Sequence, residues 1–317
     1  MPGEYKRIPS IDFYRGTVIS LMILANFFHY FETIPGWLKH AGLFEGLNFI
    51  DLGAPIFFFI LGIGFALSLE KRLLGHGLKK SIIHFILRYG TLWIFGFLGV
   101  LILSFDLVFG WNVLMALGFS GLVVFPLMFL KPPYRMGAGV LLLLGYQFII
   151  LPQYSEKILA VDMGGYFAAL SWGGLILMAS WWWPLIKEGN TKKINLHALV
   201  VSLASIIISA AVSLVAQPNK PLASMSYILL SYAVAVAALA LFVNTENYFP
   251  GKFPPLKTMG KNPLFIYMFH GVLVELSKSV LKPDLRGTIV ILFGLILLSA
   301  CFLVARSLER KNIYIKL

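Results

Sequence analysis

Cysteine is almost missing from this chain. Cys301 stands alone inside an apolar run, so no internal disulfide can brace the fold and no redox compartment follows from it. Charge is scarce too: 13% of the 317 residues are Asp, Glu, Lys or Arg while 59% are hydrophobic, which is far from the balance of a soluble domain. No hydrophilic stretch is long enough to fold by itself; the longest, residues 244–262, is interrupted by Pro250, Pro254 and Pro255 and reads as a loop. Short-period repeats, low-complexity tracts, phosphate-binding glycine loops and serine elbows are absent. The six histidines show no zinc-type spacing with carboxylates or cysteine, so no metal site is expected.

What the chain has instead is a succession of apolar runs, each about 17 to 25 residues long, the length with which an α-helix crosses roughly 30 Å of hydrocarbon. Backbone groups find no water in that layer, and the alternation of a β-barrel strand is lacking. The pattern predicts an all-α, polytopic integral membrane protein. The runs fall at 16–33, 51–69, 82–104, 111–130, 136–152, 165–186, 194–215, 222–243, 263–281 and 287–305, giving about ten transmembrane helices in a single domain, 1–317. Glu4, Lys6, Arg7, Asp12 and Arg15 precede any apolar residue run, which does not fit a cleavable signal peptide and predicts that the first span is retained. With loops assigned to alternate sides, 20 of the 26 lysines and arginines share the side of the termini. Both termini are therefore predicted to be cytoplasmic, in a multi-pass protein of the cytoplasmic membrane. The net charge of +12 marks a face turned to anionic lipid and calls for no nucleic acid.

In such a chain the informative residues are ionisable and amide groups within or at the ends of spans, since each costs on the order of 2.5–3.5 kcal/mol at a helix centre. They gather in three stretches. In LMILANFFHYF, Asn26 and His29 are three residues apart and share a helix face; an interhelical hydrogen bond would account for the first and interfacial hydration for the second. The second stretch, IPGWLKHAGLFEGLNFIDLGAPIFFFILG, places His40, Glu45, Asn48 and Asp51 immediately before a membrane-grade helix. Asp51 reads either as a helix cap or as the partner of a reactive histidine, and His40 as that histidine or as an exposed loop residue. In the third, MGKNPLFIYMFHGVLVELSK, Asn262 before Pro263 reads as an N-cap. His270 lies about 10 Å further along the helix, deep enough to need a partner or a cavity. Glu275 and Lys278 are expected to pair, Asp12 and Arg15 to close a turn before the first span, Asp106, Trp111 and Asn112 to flank an external turn, and Trp181 to Trp183 to form an aromatic belt.

The segment from RIPSIDFYRG through KHA to FIDLGAPIFFFILGIGFALSLEKR resembles the start of the catalytic region of the heparan-alpha-glucosaminide N-acetyltransferase family, within a wider group of transmembrane acyltransferases. The late MGKNPLFIYMFHG is similar to that family's second signature. The resemblance implies an enzyme that takes an acetyl group from cytoplasmic acetyl-CoA and delivers it to an amine, such as that of an amino sugar, across the membrane. It puts His40 on the catalytic histidine, Asn26 and Asp51 on further active-site positions, and Asn262 and His270 along the path to the donor. Met115 and Ala116 stand where the family has a Gln-Arg pair.

The residue types suit that chemistry. Transfer of an acyl group to an amine needs a base or a nucleophile, and imidazole can be either; a carboxylate beside it orients the ring. Asn26 and His270 are candidates to hydrogen-bond the thioester oxygen, His29 is grouped with them as a binding residue, and Arg15, Lys257 and Lys261 are placed to meet the phosphates of coenzyme A. Three rivals stay open at this stage: O-acylation of an envelope glycan or lipid, a secondary transporter in which His40, Asp51 and His270 relay protons, and a membrane scaffold without chemistry. The assembly, homodimer or other, is not fixed by the sequence.

Overall fold

The computed structural model describes residues 7–42, 46–104 and 110–315; Glu4, Lys6, Glu45, Asp106 and Lys316 lie outside them. The described chain is helical, with no strand. Its helices are α1 (Pro9–Phe28), α2 (Gly53–Ser104), α3 (Val113–Val124), α4 (Pro132–Gly145), α5 (Leu151–Leu159), α6 (Gly165–Ser180), α7 (Trp182–Glu188), α8 (Thr191–Ser213), α9 (Met225–Tyr248), α10 (Pro254–Lys261), α11 (Pro263–Val280) and α12 (Gly287–Arg310).

Seven helical stretches among the described residues are long and apolar enough to cross a membrane, against the ten spans read from the sequence. The difference has physical sources. The spans expected at 51–69 and 82–104 are two helices that lie on either side of a break within α2 and follow one another without a loop, so they form one stretch. Gly77 interrupts it at φ 74° and ψ 176°, a conformation that only glycine adopts without strain. The run at 111–130 is a short helix continued by a 3₁₀ turn, and α11 has only 18 residues, several of them polar.

The chain divides into two compact units. One comprises residues 55–237. Here α4 and α6 approach backbone to backbone at Gly139 and Gly174, where an added Cβ would sit 2.7 and 2.8 Å from the opposing carbonyl oxygen. The expected aromatic belt is not one: Trp182 and Trp183 are buried, the first donating to the Tyr232 hydroxyl at 3.0 Å and the second to Glu70 at 2.5 Å. The indole N–H groups find protein partners inside the unit and do not need the membrane interface.

The other unit joins residues 7–54 to those from 238 onward. Its axis is α1, packed on α10, α11 and α12. Asp12, Gly16 and Ser20 recur at four-residue steps, and the stripe lets α10 come close. A Cβ on Gly16 would lie 1.7 Å from the Leu256 carbonyl oxygen, and one on Gly260 would lie 1.8 Å from that of Asp12. Neither position has room for any side chain. Phe13 and Tyr14 stack beside them on Phe253 and Phe242 with ring centroids 5.0 and 4.7 Å apart.

Candidate active site

The loop after α1 is built by its own polar residues. Asn48 Nδ2 donates to the carbonyls of Gly36 and Lys39, both at 3.0 Å, which folds the loop back on itself. Asp51 then closes a capping box at the 3₁₀ turn Phe49–Leu52 that leads into α2. Its Oδ2 accepts from the amides of Asn48 at 2.9 Å and Ala41 at 3.2 Å. The other oxygen, Oδ1, accepts from His40 Nδ1 at 2.9 Å. The cap and the histidine partner, alternatives in the sequence, are one carboxylate, and it is 1% exposed. Its three donors answer acceptor lone pairs that burial would otherwise leave unsatisfied.

His40 is the accessible member of the pair, its side chain 25% exposed. Its Nε2 faces Asn26 Oδ1 at 3.4 Å, and Asn26 Nδ2 lies 3.0 Å from Nε2 of His270. The His29 ring flanks that of His40, with centroids 5.5 Å apart. Four residues far apart in the chain thus meet in series, Asp51 to His40 to Asn26 to His270. The series has two proton arrangements. With Asn26 Oδ1 toward His40, His40 carries protons on both nitrogens; with the amide turned, a neutral His40 Nε2 accepts and His270 donates to Oδ1.

The other predicted site residues are not part of this series. Arg15 Nη1 lies 3.6 Å from Asp12, which Arg7 approaches at 3.9 Å from the other side. Lys257 pairs with Glu246 at 2.5 Å, and Lys261 pairs with Glu309, which also accepts from the Thr258 hydroxyl. All three cations proposed for phosphates therefore have carboxylate partners within the fold. They sit at the opposite end of α1: Asp12 and Asn26 are separated by roughly 21 Å of helix.

Asn262 corrects a sequence reading. It occupies the N-cap position of α11, yet its side chain makes no capping bond. Fully buried, it donates to the Ile313 carbonyl at 3.0 Å and accepts from the Ile315 amide at 2.9 Å, clasping the end of the described chain. Glu275 and Lys278 pair at 2.7 Å, as their spacing predicts. Asn112 caps α3, its Oδ1 accepting from the Met115 amide at 3.0 Å. Gly16 and Gly260 have no side chain to draw notice, and the sequence reading missed them; their only signal was position, beside Arg15 in YRG and before Lys261 in MGKN.

Comparison with known proteins agrees with the resemblance. The family described as "Heparan-alpha-glucosaminide N-acetyltransferase, catalytic" matches residues 7–179, more than half of the chain. The match includes Arg15, Asn26, His29, His40 and Asp51, while Asn262 and His270 lie beyond it. No curated protein compared with the chain matched it. The extent of the family match, together with a chain made of long apolar helices, shows that this is a membrane protein belonging to the heparan-alpha-glucosaminide N-acetyltransferase family.

Proposed function

We propose that the protein transfers an acetyl group from cytoplasmic acetyl-CoA to an amine, of an amino sugar such as glucosamine, on the far side of the membrane. The observation that carries this reading is the 2.9 Å hydrogen bond from His40 Nδ1 to a buried carboxylate, in a histidine whose side chain stays 25% exposed. Asp51 fixes the ring and stabilises the imidazolium that forms when His40 takes a proton. As the acceptor nitrogen attacks the thioester carbonyl, the N–C bond forms, the C–S bond breaks, the sulfur leaves as coenzyme A, and the amine proton passes to His40 Nε2.

Asn26 is placed to donate an amide N–H to the carbonyl oxygen as it gains charge, and His270 to hold that amide in place. The alternative covalent route, an acetyl-imidazole on Nε2, needs the same carboxylate. Incubation with labelled acetyl-CoA and no acceptor distinguishes them, leaving label on the protein in the covalent case alone.

The test of the function is release of coenzyme A by purified protein offered a panel of amino sugars and hydroxylated glycans. Release that depends on a primary amine is expected. Release only with hydroxyl acceptors would replace N-acetylation by O-acylation, and no release with any acceptor would overturn the acyltransferase reading. Sidedness is tested separately: a cysteine at Lys39 should react with an impermeant thiol reagent added outside intact cells, and labelling only in inverted vesicles would reverse the direction of transfer.

A further inference from the structure

A cleft of about 530 Å³ opens between the start of α10 and the last turns of α12, remote from the histidine series. Pro254, Pro255 and Phe302 give it an apolar wall. Arg306 and Arg310 line it too, and with Phe302 they follow at four-residue steps, so the three form one stripe of α12. Both arginines are exposed, and neither makes an ion pair among the described residues. The carboxylate in the cleft, Glu309, is already engaged by Lys261 and the Thr258 hydroxyl, so it leaves the two guanidinium groups uncompensated. Toward the other end of α12 the exposed side chains are apolar, among them Leu292, Leu295, Ile296 and Leu303.

Two uncompensated guanidinium groups, an apolar wall next to them and an aliphatic track leading away match an amphiphile with a phosphate head. We propose that the α10–α12 cleft binds the headgroup of an anionic membrane phospholipid. Arg306 and Arg310 present planar donors that fork onto phosphate oxygens. Phe302 and the two prolines cover the first apolar carbons, and the acyl chains lie along the outer face of α12. A lipid seated there would hold α10 to α12 beside the Gly16–Gly260 contact, and it would do so whether or not His40 transfers acetyl groups.

The test is native mass spectrometry of the full chain released from nanodiscs of mixed phosphatidylcholine and phosphatidylglycerol. The wild-type protein should retain phosphatidylglycerol preferentially. Arg306→Gln with Arg310→Gln should reduce that preference by roughly 25-fold, about five-fold per arginine. Because both side chains are exposed, the fold does not depend on them. Arg306→Lys with Arg310→Lys should keep part of the preference, having charge without the fork. Arg286→Gln, at the opposite end of α12, should change nothing. Equal retention by the wild type and the Gln pair would overturn the proposal. So would displacement of the lipid by coenzyme A or inorganic phosphate, which would assign the arginines to a soluble ligand.

Discussion

The two ends of α1 use polar residues in opposite ways. At the N-terminal end, charges close on one another: Asp12 with Arg7 and Arg15, Lys261 with Glu309, Lys257 with Glu246. At the C-terminal end a single buried carboxylate supports a series of neutral-capable groups, His40, Asn26 and His270. Paired charges hold helices together and have little left to give. A series with two proton arrangements can take up a proton and return it, which is what the proposed transfer asks of its base.

The comparison is broken most severely at His40. His40→Ala should lower acetyl transfer by about 10³-fold, the scale of a lost general base, while acetyl-CoA affinity stays near wild type. Turnover and equilibrium binding measured on one preparation check this; near wild-type turnover would remove His40 from the chemistry. Asp51→Asn should lower transfer by about 10²-fold. An asparagine offers one acceptor oxygen where Asp51 uses two, so either His40 Nδ1 or the capping amides lose their partner. Full turnover in this variant would remove Asp51 from the chemistry.

Gly16→Ala attacks the packing and leaves both polar ends untouched. The new Cβ would meet the Leu256 carbonyl at 1.7 Å, and the overpacking should cost about 1–3 kcal/mol, read as an earlier thermal unfolding transition in detergent. An unchanged transition would mean that α1 and α10 can part freely. The smallest effect is expected at Lys261→Ala. Its pair with Glu309 is partly exposed, so the loss should be about 0.5–1 kcal/mol and should shrink in high salt. Acetyl-CoA affinity should not change; a salt-sensitive fall in affinity would return Lys261 to the donor site.

Much of the histidine end was legible because polar groups near hydrocarbon are costly and so stand out. Asn26, His40, Asp51 and His270 were each conspicuous, and the fold brings them together. Less legible were features that exist only once helices pair. The closeness of Gly16 to Leu256 depends on which helix α1 meets, and nothing local to either residue announces it. Lys257 and Lys261 looked available for phosphates because Glu246 and Glu309 reach them only in the folded chain. The tryptophans after α6 looked interfacial by composition, yet burial beside Tyr232 and Glu70 satisfies two of them from within.

Asn262 has a practical bearing on how the protein is handled. Its amide is the bolt between the N-cap of the helix carrying His270 and backbone groups at Ile313 and Ile315, so a fusion partner or affinity tag that drags this segment outward would strip a fully buried side chain of both its partners. The disturbance would enter α11 seven residues before His270, at the far end from the loop that holds His40, and a tagged preparation could lose turnover with every catalytic candidate intact.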